Sequence, residues 1–214
     1  MTTPSIRLRV KRGSDILGAA VGLAVLSPML AWSAVLLLIT QGRPILFHQL
    51  RPGLHDVPFT IHKFRTMREP ARGESRFRSD DRRVTRLGRF LRSTSIDELP
   101  ELWNVLRGDM SLVGPRPLLM EYLETYTADE LRRHDMRPGV TSWAAVNGRH
   151  TTRYTDRLAL DVWYVDNWSL RLDVRVLYMT VGQVLGRRDV ATTQDVAAVG
   201  FPIAPAADDE ADES

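Results

Sequence analysis

The feature that most constrains this chain is an uncharged hydrophobic segment near its N-terminus. The segment runs from Ile16 to Ile39 and reads ILGAAVGLAVLSPMLAWSAVLLLI. About 20 apolar residues are enough for a helix to cross a bilayer, so this segment predicts a membrane helix. It is too long for the core of a signal peptide and has no clear small-residue cleavage site. The alternative is a buried helix of a soluble protein, which this length disfavours.

Two features of the segment argue against a simple crossing. Ser27-Pro28 lies at its midpoint, where proline interrupts the backbone hydrogen bonds and the serine hydroxyl can satisfy a freed carbonyl. Both flanks are basic, with Arg7, Arg9, Lys11 and Arg12 before the segment and Arg43 and Arg51 after it. Basic flanks prefer the cytoplasmic side, which is impossible for both ends of one crossing. We expect a re-entrant helix–break–helix over residues 13–42, after a basic arm over residues 1–12. A single-pass helix with basic flanks is the alternative.

Charge and composition narrow the class of partner without choosing one. The chain of 214 residues has a net charge of +3 and no cysteine, and its last seven residues carry five acids. The rest carries about +8, with arginines clustered between Arg65 and Arg92. Such an excess suggests nucleic acid, anionic lipid or a phosphorylated substrate. The lack of cysteine excludes disulfides, thiolate metal sites and a cysteine nucleophile. Residues 191–214, rich in Ala, Pro and acids, predict a disordered tail.

The remaining part of the chain, residues 43–190, predicts one α+β domain that is mainly helical. Alternating apolar and polar residues predict two short strands or extended segments between Ile45 and Phe64. The polar stretch from Glu69 to Asp81 predicts a mobile loop. Helices are expected over Asp81 to Arg92, Pro100 to Leu106, Leu118 to His134 and Leu158 to Leu185. The first of these is basic and amphipathic, which suits a membrane surface or an ordinary surface helix equally.

The stretch from Ser93 to Asn104, STSIDELPELWN, places the adjacent carboxylates Asp97 and Glu98 before a proline. Ser95 and Glu98 have the spacing of a capping box, in which the acids serve only the helix. Pro100 opposes that arrangement, because proline fits the first helical position and not the helix interior. The helix then starts near Pro100 and leaves both carboxylates just outside its N-terminus, where they can serve a phosphate or metal site. Ser95 can still cap.

Several cations lie on stiff or extended backbone elsewhere in the chain. Lys63 and Arg65 share one face if their segment is extended, and Arg116 is held between two prolines. Arg137 and Arg149 lie on predicted turns. Each alone is more often a solvated charge. With the acidic pair they predict a site for a pyrophosphate and a divalent cation, since guanidinium groups match phosphate oxygens bidentately. The five histidines lack zinc-ligand spacing, and the chain has no P-loop.

A series of motifs follows in order from Lys11 to about Arg188. They are Lys11-Arg12 with Asp15 before the hydrophobic segment broken at Ser27-Pro28, then GRPILFHQLRPG, FTIHKFRTM, LRSTSIDELPELWNVLRGDMSLVGPRP, MRPGVTSWAAVNGR and LDVWYVDNWSLRLD. In these motifs the chain resembles the bacterial monotopic phosphoglycosyl transferases. These undecaprenyl-phosphate sugar phosphotransferases begin membrane-bound glycan assembly.

The resemblance implies a location, a reaction and a set of partners. A re-entrant membrane helix would carry a small α+β domain with amphipathic helices on the cytosolic face of the bacterial inner membrane. The enzyme would move a phosphosugar from a UDP-sugar to polyprenol (undecaprenyl) phosphate, release UMP and use Mg²⁺, in a pathway such as exopolysaccharide biosynthesis. The implied partners are the UDP-sugar, the polyprenol phosphate and the lipid bilayer, without nucleic acid. A homodimer stays open.

The resemblance also assigns roles to individual residues. Asp97 would attack the β-phosphorus, form a covalent phosphosugar intermediate and contact the metal, while Glu98 would assist with metal or proton handling. Arg92 would hold the polyprenol phosphate, and Arg116 the uridine or phosphates of the donor. The same match adds four cations as substrate-binding residues, namely Lys63, Arg65, Arg137 and Arg149.

Four positions depart from the pattern of the family, and the first is Ser14, which replaces a frequent aromatic residue before Asp15. Many members have Gln where Glu101 stands, and Gly and Gln where Ser142 and Ala145 stand. The dyad and the arginines are unchanged, so these departures bear on the identity of the sugar more than on the activity. Two other classes of function are weighed against the transferase. One is a membrane-anchored protein that binds anionic lipid or nucleic acid without catalysis. The other is a glycosidase, which needs two acids about 5 Å or more apart across a sugar.

Overall fold

The structure is a computed structural model and describes residues 6–68, 83–147 and 153–186. In these residues the fold is α+β and mainly helical, as predicted. The helices are α1 (Ile6–Gln41), α2 (Arg86–Ser93), α3 (Glu101–Arg107), α4 (Ala128–Leu131), α5 (Trp143–Asn147), α6 (Tyr154–Asp166) and α7 (Leu170–Gly186). The strands are β1 (Leu46–Pro52), β2 (Pro58–Phe64), β3 (Ser111–Val113) and β4 (Gly139–Thr141). Four 3₁₀ turns cover Leu54–Asp56, Ile96–Glu98, Met120–Thr125 and Arg132–Asp135.

Helix α1 contains the predicted hydrophobic segment and begins well before it. In the described part of the chain it is the one helix long and apolar enough to cross a membrane. The helix continues through Pro28, so the structure has one helix where the sequence predicted two separated by a break. Pro28 cannot donate to the carbonyl of Ala24, four residues earlier. The Ser27 hydroxyl donates to that carbonyl at 2.8 Å, which satisfies it and allows the helix to continue.

The N-terminal part of α1 is bonded to the domain that follows it. Lys11 is buried, and its Nζ donates to the Val113 carbonyl at 3.0 Å and to the Asp173 carboxylate at 2.8 Å. One turn later, the Asp15 carboxylate accepts a hydrogen bond from the Ser111 hydroxyl at 2.8 Å. The described part of the basic arm, residues 6–12, is therefore the first turns of α1 and not a separate segment.

The C-terminal end of α1 is bonded to the same domain. The Arg65 Nη2 donates to the Gln41 carbonyl at 2.6 Å, which satisfies one of the free carbonyls at the helix end. Nearby, Leu37 packs in a buried cluster with Phe64 and Leu91. Both ends of the hydrophobic helix therefore contact the one polar domain.

Strands β1 and β2 form the predicted pair, an antiparallel hairpin in which Arg51 lies opposite Phe59. Because side chains alternate along a strand, Phe59, Ile61 and Lys63 share the inner face of β2. The buried cluster beneath that face consists of Ala19, Phe59, Ile61, Leu102, Val105 and Met110. This cluster joins α1, the hairpin and α3, so these three elements position each other.

Helix α3 begins directly after Pro100 and ends at Gly108, which confirms the helix predicted over Pro100 to Leu106. Gly108 has a left-handed φ of 99°, a conformation that favours glycine at a helix end. The Arg12 guanidinium donates to the last carbonyls of α3, those of Val105 at 2.6 Å and Leu106 at 3.0 Å. Arg12, which the sequence suggested as one of the basic residues that orient the membrane segment, therefore bonds the C-terminal end of α3, the helix that follows the dyad.

Three helix predictions need correction. The stretch from Leu118 to His134 is not one helix, because Thr127 and Glu130 form a capping box that starts α4 as a new helix. The stretch from Leu158 to Leu185 falls into two helices, α6 and α7, separated at residues 167–169. Helix α2 begins at Arg86, because the Thr85 hydroxyl accepts a hydrogen bond from the Gly88 N–H and caps it.

Some predictions concern residues outside the described ranges. They are the mobile loop from Glu69 to Asp81, the tail over residues 191–214, the first five residues of the basic arm and the cation Arg149.

Candidate active site

The two adjacent carboxylates lie in the 3₁₀ turn that joins α2 to α3. Ser95, directly before this turn, has a left-handed φ of 55° and its side chain caps no helix, so the predicted capping role of Ser95 is wrong. Pro100 stands just before α3, as the sequence predicted. Asp97 and Glu98 therefore lie outside the N-terminal end of α3 and not within a helix.

Glu98 is fixed by two cations. Its Oε1 lies 2.7 Å from the Lys63 Nζ and 2.6 Å from the Arg116 Nη2. Burial alone would raise the pKa of Glu98, but the charges of Arg116 and Lys63 outweigh it and hold that pKa well below its usual range. Glu98 is therefore ionised at all physiological pH values, and it holds the two cations in place.

Asp97 has a different environment although it is the neighbouring residue. Its side chain is mostly buried, with a residue exposure of 9%, and within the described ranges it forms no hydrogen bond or ion pair. Burial, and then the charge of Glu98, raise the pKa of Asp97 to about 6. The charges of Lys63, Arg92 and Arg116 oppose this rise. Asp97 is thus a carboxylate with free oxygens in a cationic surrounding.

Glu101, in the first turn of α3, is a third carboxylate of the site. It is buried, and its Oε1 lies 3.0 Å from the Lys63 Nζ. Burial raises the pKa of Glu101 to about 7; Lys63 opposes this rise and Glu98 adds to it. Lys63 is therefore shared by two carboxylates, one permanently ionised and one that titrates near neutrality. The sequence identified Glu101 only as a departure from the family pattern.

Helix α2 brings Arg92 towards the dyad. The Arg92 Nε donates to the Thr66 hydroxyl at 2.9 Å, and the charge of Arg92 acts on Asp97. This position requires Gly88, because a Cβ there would lie 2.0 Å from the Thr66 carbonyl oxygen. Within the described residues the terminal nitrogens of Arg92 have no hydrogen-bond partner, so they can bind an anion.

The loop after β3 brings Arg116 to Glu98. Flanked by prolines, Arg116 has its backbone carbonyl bonded to the buried Arg133, whose Nη2 donates to it at 2.6 Å. The same Nη2 lies 2.5 Å from the Asp161 carboxylate of α6. A buried ion pair therefore holds the backbone of Arg116, while its half-exposed guanidinium bonds Glu98.

Two of the predicted substrate-binding cations donate hydrogen bonds to backbone carbonyls. Arg65 is bonded to the C-terminal end of α1, as described above. The Arg137 Nε donates to the Gly108 carbonyl at 2.8 Å, at the end of α3 opposite to the dyad. The structure thus brings Asp97, Glu98, Lys63, Arg92 and Arg116 together and places Arg65 and Arg137 elsewhere. Ser27 and Pro28 lie in α1, where they make the local adjustment described above.

A cavity of about 290 Å³ lies beside the dyad. Its charged walls are Arg51, Lys63, Glu101 and Arg116, and its other lining residues include Ile61, Pro117, Leu118, Leu119, Tyr122 and Gly139. The sequence suggested Arg51 only as part of a basic flank. Once the hairpin is predicted, the position of Arg51 opposite Phe59 on the inner face of the hairpin indicates Arg51 as a candidate site residue.

A divalent cation such as Mg²⁺ needs oxygen ligands in the site. Within the described residues no group of three or more His, Cys, Asp or Glu side chains could hold a metal ion. Mg²⁺ is commonly bound by one or two carboxylates together with substrate phosphates. Asp97 has free carboxylate oxygens at the edge of a cationic site, so it fits that mode as one ligand.

A long hydrophobic helix joined to a cationic site with a carboxylate dyad is the arrangement expected of a membrane-associated enzyme for phosphorylated substrates. The family model described as bacterial sugar transferase matches residues 6–187. This chain therefore belongs to the bacterial sugar transferase family, which confirms the predicted family and the prediction of a transferase enzyme. The family and the apolar helix α1 together indicate association with a membrane.

Three relatives illustrate the similarity. The uncharacterized sugar transferase EpsL of Bacillus subtilis (strain 168) is 45% identical over 192 residues, which cover 90% of this chain and 95% of that protein. The UDP-glucose:undecaprenyl-phosphate glucose-1-phosphate transferase of Caulobacter vibrioides is 42% identical over 185 residues, covering 82% and 69%. The undecaprenyl-phosphate glucose phosphotransferase of Komagataeibacter xylinus is 38% identical over 200 residues, covering 84% and 36%. The chain thus spans about a third of this last relative.

Proposed function

We propose that this protein transfers a phosphosugar from a UDP-sugar to polyprenol phosphate, releases UMP and forms a covalent intermediate on Asp97. The names of relatives that use UDP-glucose and undecaprenyl phosphate support the two classes of substrate. The assignment of Asp97 as the nucleophile rests on the difference between the surroundings of Asp97 and Glu98. Glu98 is bonded to Lys63 and Arg116, whereas Asp97 is free of bonded partners in the described part of the chain and is surrounded by cations.

The proposed reaction has two displacements at one phosphorus atom. First, an Asp97 carboxylate oxygen attacks the β-phosphorus of the donor; the bond from that phosphorus to the bridging oxygen breaks, and UMP leaves with the electron pair. Second, a phosphate oxygen of polyprenol phosphate attacks the same phosphorus, and the bond to Asp97 breaks and restores the carboxylate. No net proton transfer is needed in either step. Two steps allow a water-soluble donor and a lipid acceptor to use one site in turn.

The cations around Asp97 make this attack feasible, because an ionised carboxylate and a diphosphate repel each other. Lys63 and Arg116, fixed by Glu98, would neutralise the donor phosphates. Arg92, with free terminal nitrogens, would hold the acceptor phosphate. Mg²⁺ bound by Asp97 and the donor phosphates would supply further neutralisation of negative charge.

We also propose that α1 is re-entrant and that the domain lies on the cytosolic face of the inner membrane. Support comes from the two ends of α1, which are bonded to the one domain through Lys11 and Arg65. A helix that crossed the bilayer would place its ends on opposite sides. Between these ends α1 exposes apolar side chains that suit lipid, including those of Leu17, Val21, Val25, Trp32 and Ile39.

The test is a single-turnover experiment on the full chain in lipid, with Mg²⁺ and a panel of UDP-sugars but no acceptor. With its own donor, wild type should release one UMP per protein and gain the mass of one phosphosugar, and polyprenol phosphate should then remove that mass. Asp97→Asn should form no adduct and lose at least about a thousandfold in rate. Glu124→Gln, at an exposed carboxylate of the Met120–Thr125 turn, is the matched control and should behave as wild type.

Two outcomes would count against the proposal. Full activity in Asp97→Asn would end the assignment of the nucleophile. Binding of anionic lipid or nucleic acid by wild type, without UMP release from any donor of the panel, would favour the anchored binding protein.

A further inference from the structure

The cavity beside the dyad contains an arginine that the proposed mechanism does not use. The Arg51 Nη2 donates to the Gln49 side chain at 2.6 Å, but its buried Nε has no hydrogen-bond partner. Within the described ranges no carboxylate oxygen lies within 4.0 Å of its guanidinium nitrogens. A half-buried guanidinium without an anion, on the wall of a cavity, is an unfavourable arrangement unless a ligand completes it.

A second arginine of the same cavity makes the arrangement more unfavourable. Arg116 also lines the cavity, and burial together with the charge of Arg116 lowers the pKa of Arg51 to about 10. The carboxylates whose charges act on Arg51 are those of Glu121 and Glu101, and in the described ranges neither forms an ion pair with it. Two like charges that face one cavity attract an anion between them, and a guanidinium group has five N–H donors to share. Arg116 can therefore bind a ligand while it stays bonded to Glu98.

We infer that this cavity binds the diphosphate of a nucleoside diphosphate sugar between Arg51 and Arg116, with the nucleoside against Leu118, Leu119 and Tyr122. The inference rests on the proposed function and adds Arg51 as a donor-binding residue. Lys63 lines the same cavity and is bonded to Glu98, so a diphosphate held there lies next to the dyad. The apolar wall suits the flat, weakly polar face of a nucleobase.

The test is a calorimetric titration of UDP into the full chain in lipid nanodiscs. Arg51→Met should raise the Kd of UDP by about tenfold to a hundredfold, because a charge-assisted contact to phosphate is lost. Arg51→Lys should lose less, since the charge stays and only the planar fork is removed. Arg107→Met is the matched control; Arg107 is an exposed arginine at the far end of α3, near Asp109, and its replacement should leave the Kd unchanged.

Each variant is first checked for an unchanged melting temperature, and Arg51→Lys decides the question if Arg51→Met fails to fold. Wild-type affinity in both Arg51 variants would overturn the inference, yet leave the proposed function intact, because that function is judged by UMP release and the adduct on Asp97. If wild type releases UMP, but the replacements of Arg51 and of Arg107 change the Kd of UDP equally, the diphosphate binds elsewhere and the inference is wrong. If wild type neither binds UDP nor releases UMP, the proposed function fails, and the inference fails with it.

Discussion

At the scale of single residues, Asp97 and Glu98 are neighbours whose surroundings move their pKa values in opposite directions. Burial and the charge of Glu98 raise the pKa of Asp97 to about 6, whereas Arg116 and Lys63 overcome burial at Glu98 and lower its pKa. Divergent pKa values in a pair of acids indicate different roles. The ionised Glu98 organises the cations, and Asp97 is left with oxygens that can react.

The pH dependence of the reaction follows from this difference. In the proposed mechanism Asp97 must be ionised to attack, so we expect kcat/KM to fall as the pH falls through about 6. Glu98→Gln removes the negative neighbour that raises the pKa of Asp97 and frees Lys63 and Arg116 to lower it. The acidic limb should therefore move to lower pH in that variant. The measurement is kcat/KM for the donor between pH 4.5 and 8.

Glu101→Gln is the control for this prediction. Burial raises the pKa of Glu101 to about 7, but the charges that act most strongly on Asp97 are those of Glu98, Lys63, Arg92 and Arg116. The acidic limb should therefore keep its position in Glu101→Gln. A limb that disappears in Glu101→Gln, or stays in place in Glu98→Gln, would show that another group controls the rate.

The structure brings together some of the residues that the sequence assigned to the site and places others elsewhere. The dyad, Lys63 and Arg116 were suggested by their places near prolines or in an extended segment, whereas Arg92 was implied only by the family resemblance. Arg65 and Arg137 carried the same signal, yet they bond carbonyls at the ends of α1 and α3. A sequence does not reveal which free carbonyls a cation will meet. Arg51, which we propose as a donor-binding residue, was suggested only as part of a basic flank, because Arg116 on the opposite wall of the cavity comes from a distant loop.

At the scale of elements, the loop that carries Arg116 depends on the buried pair of Arg133 and Asp161. Arg133 joins the Arg116 carbonyl to Asp161 of α6, so Asp161 is a positioning residue that acts through Arg116. Asp161→Asn leaves the Arg133 charge buried without a counter-charge, which should lower the free energy of unfolding by about 3 kcal/mol. It should also raise the Kd of UDP by about tenfold if Arg116 moves.

A double-mutant cycle separates the effect through Arg116 from a general loss of stability. The Kd of UDP is measured for wild type, Asp161→Asn, Arg116→Met and the double variant. If Asp161 acts through Arg116, its replacement should change the Kd little once Arg116 is already gone. Additive effects in the double variant would contradict the positioning role. The melting temperatures of all four proteins are recorded alongside, because the loss of stability should remain in both backgrounds.

The success of the element predictions followed the strength of the local signals. The hairpin and α3 were found because strand alternation, Pro100 and Gly108 are unambiguous. The continuation of α1 through Pro28 was not predicted, because a serine that satisfies the freed carbonyl is compatible with a break as well as with a continuous helix. The single helix expected over Leu118 to His134 was wrong, since the capping box at Thr127 starts a new helix within it.

At the scale of the whole molecule, the hydrophobic helix and the polar domain constrain each other. Two of the basic residues that suggested orientation from the sequence are bonded within the protein: Lys11 is buried and pairs with Asp173, and Arg12 donates to the last carbonyls of α3. Their contribution to topology is therefore through contacts with protein as well as through their charge. Contacts of one domain with both ends of α1 support the proposal that the exposed apolar part of α1 enters and leaves the same leaflet.

Cysteine labelling tests this arrangement, because the chain has no cysteine of its own. Arg7→Cys and Arg43→Cys place single cysteines at exposed positions near the two ends of α1. Both should react with a membrane-impermeant maleimide in inverted vesicles, and neither should react in intact spheroplasts. Glu124→Cys, on the exposed surface of the domain, sets the level for a cytosolic position. Labelling of Arg7→Cys and Arg43→Cys from opposite sides would establish a single crossing. That result would also require either the contacts of Lys11 with the domain or the contact of Arg65 with the C-terminal end of α1 to be broken in the membrane. It would therefore overturn the re-entrant proposal and the packing that supports it.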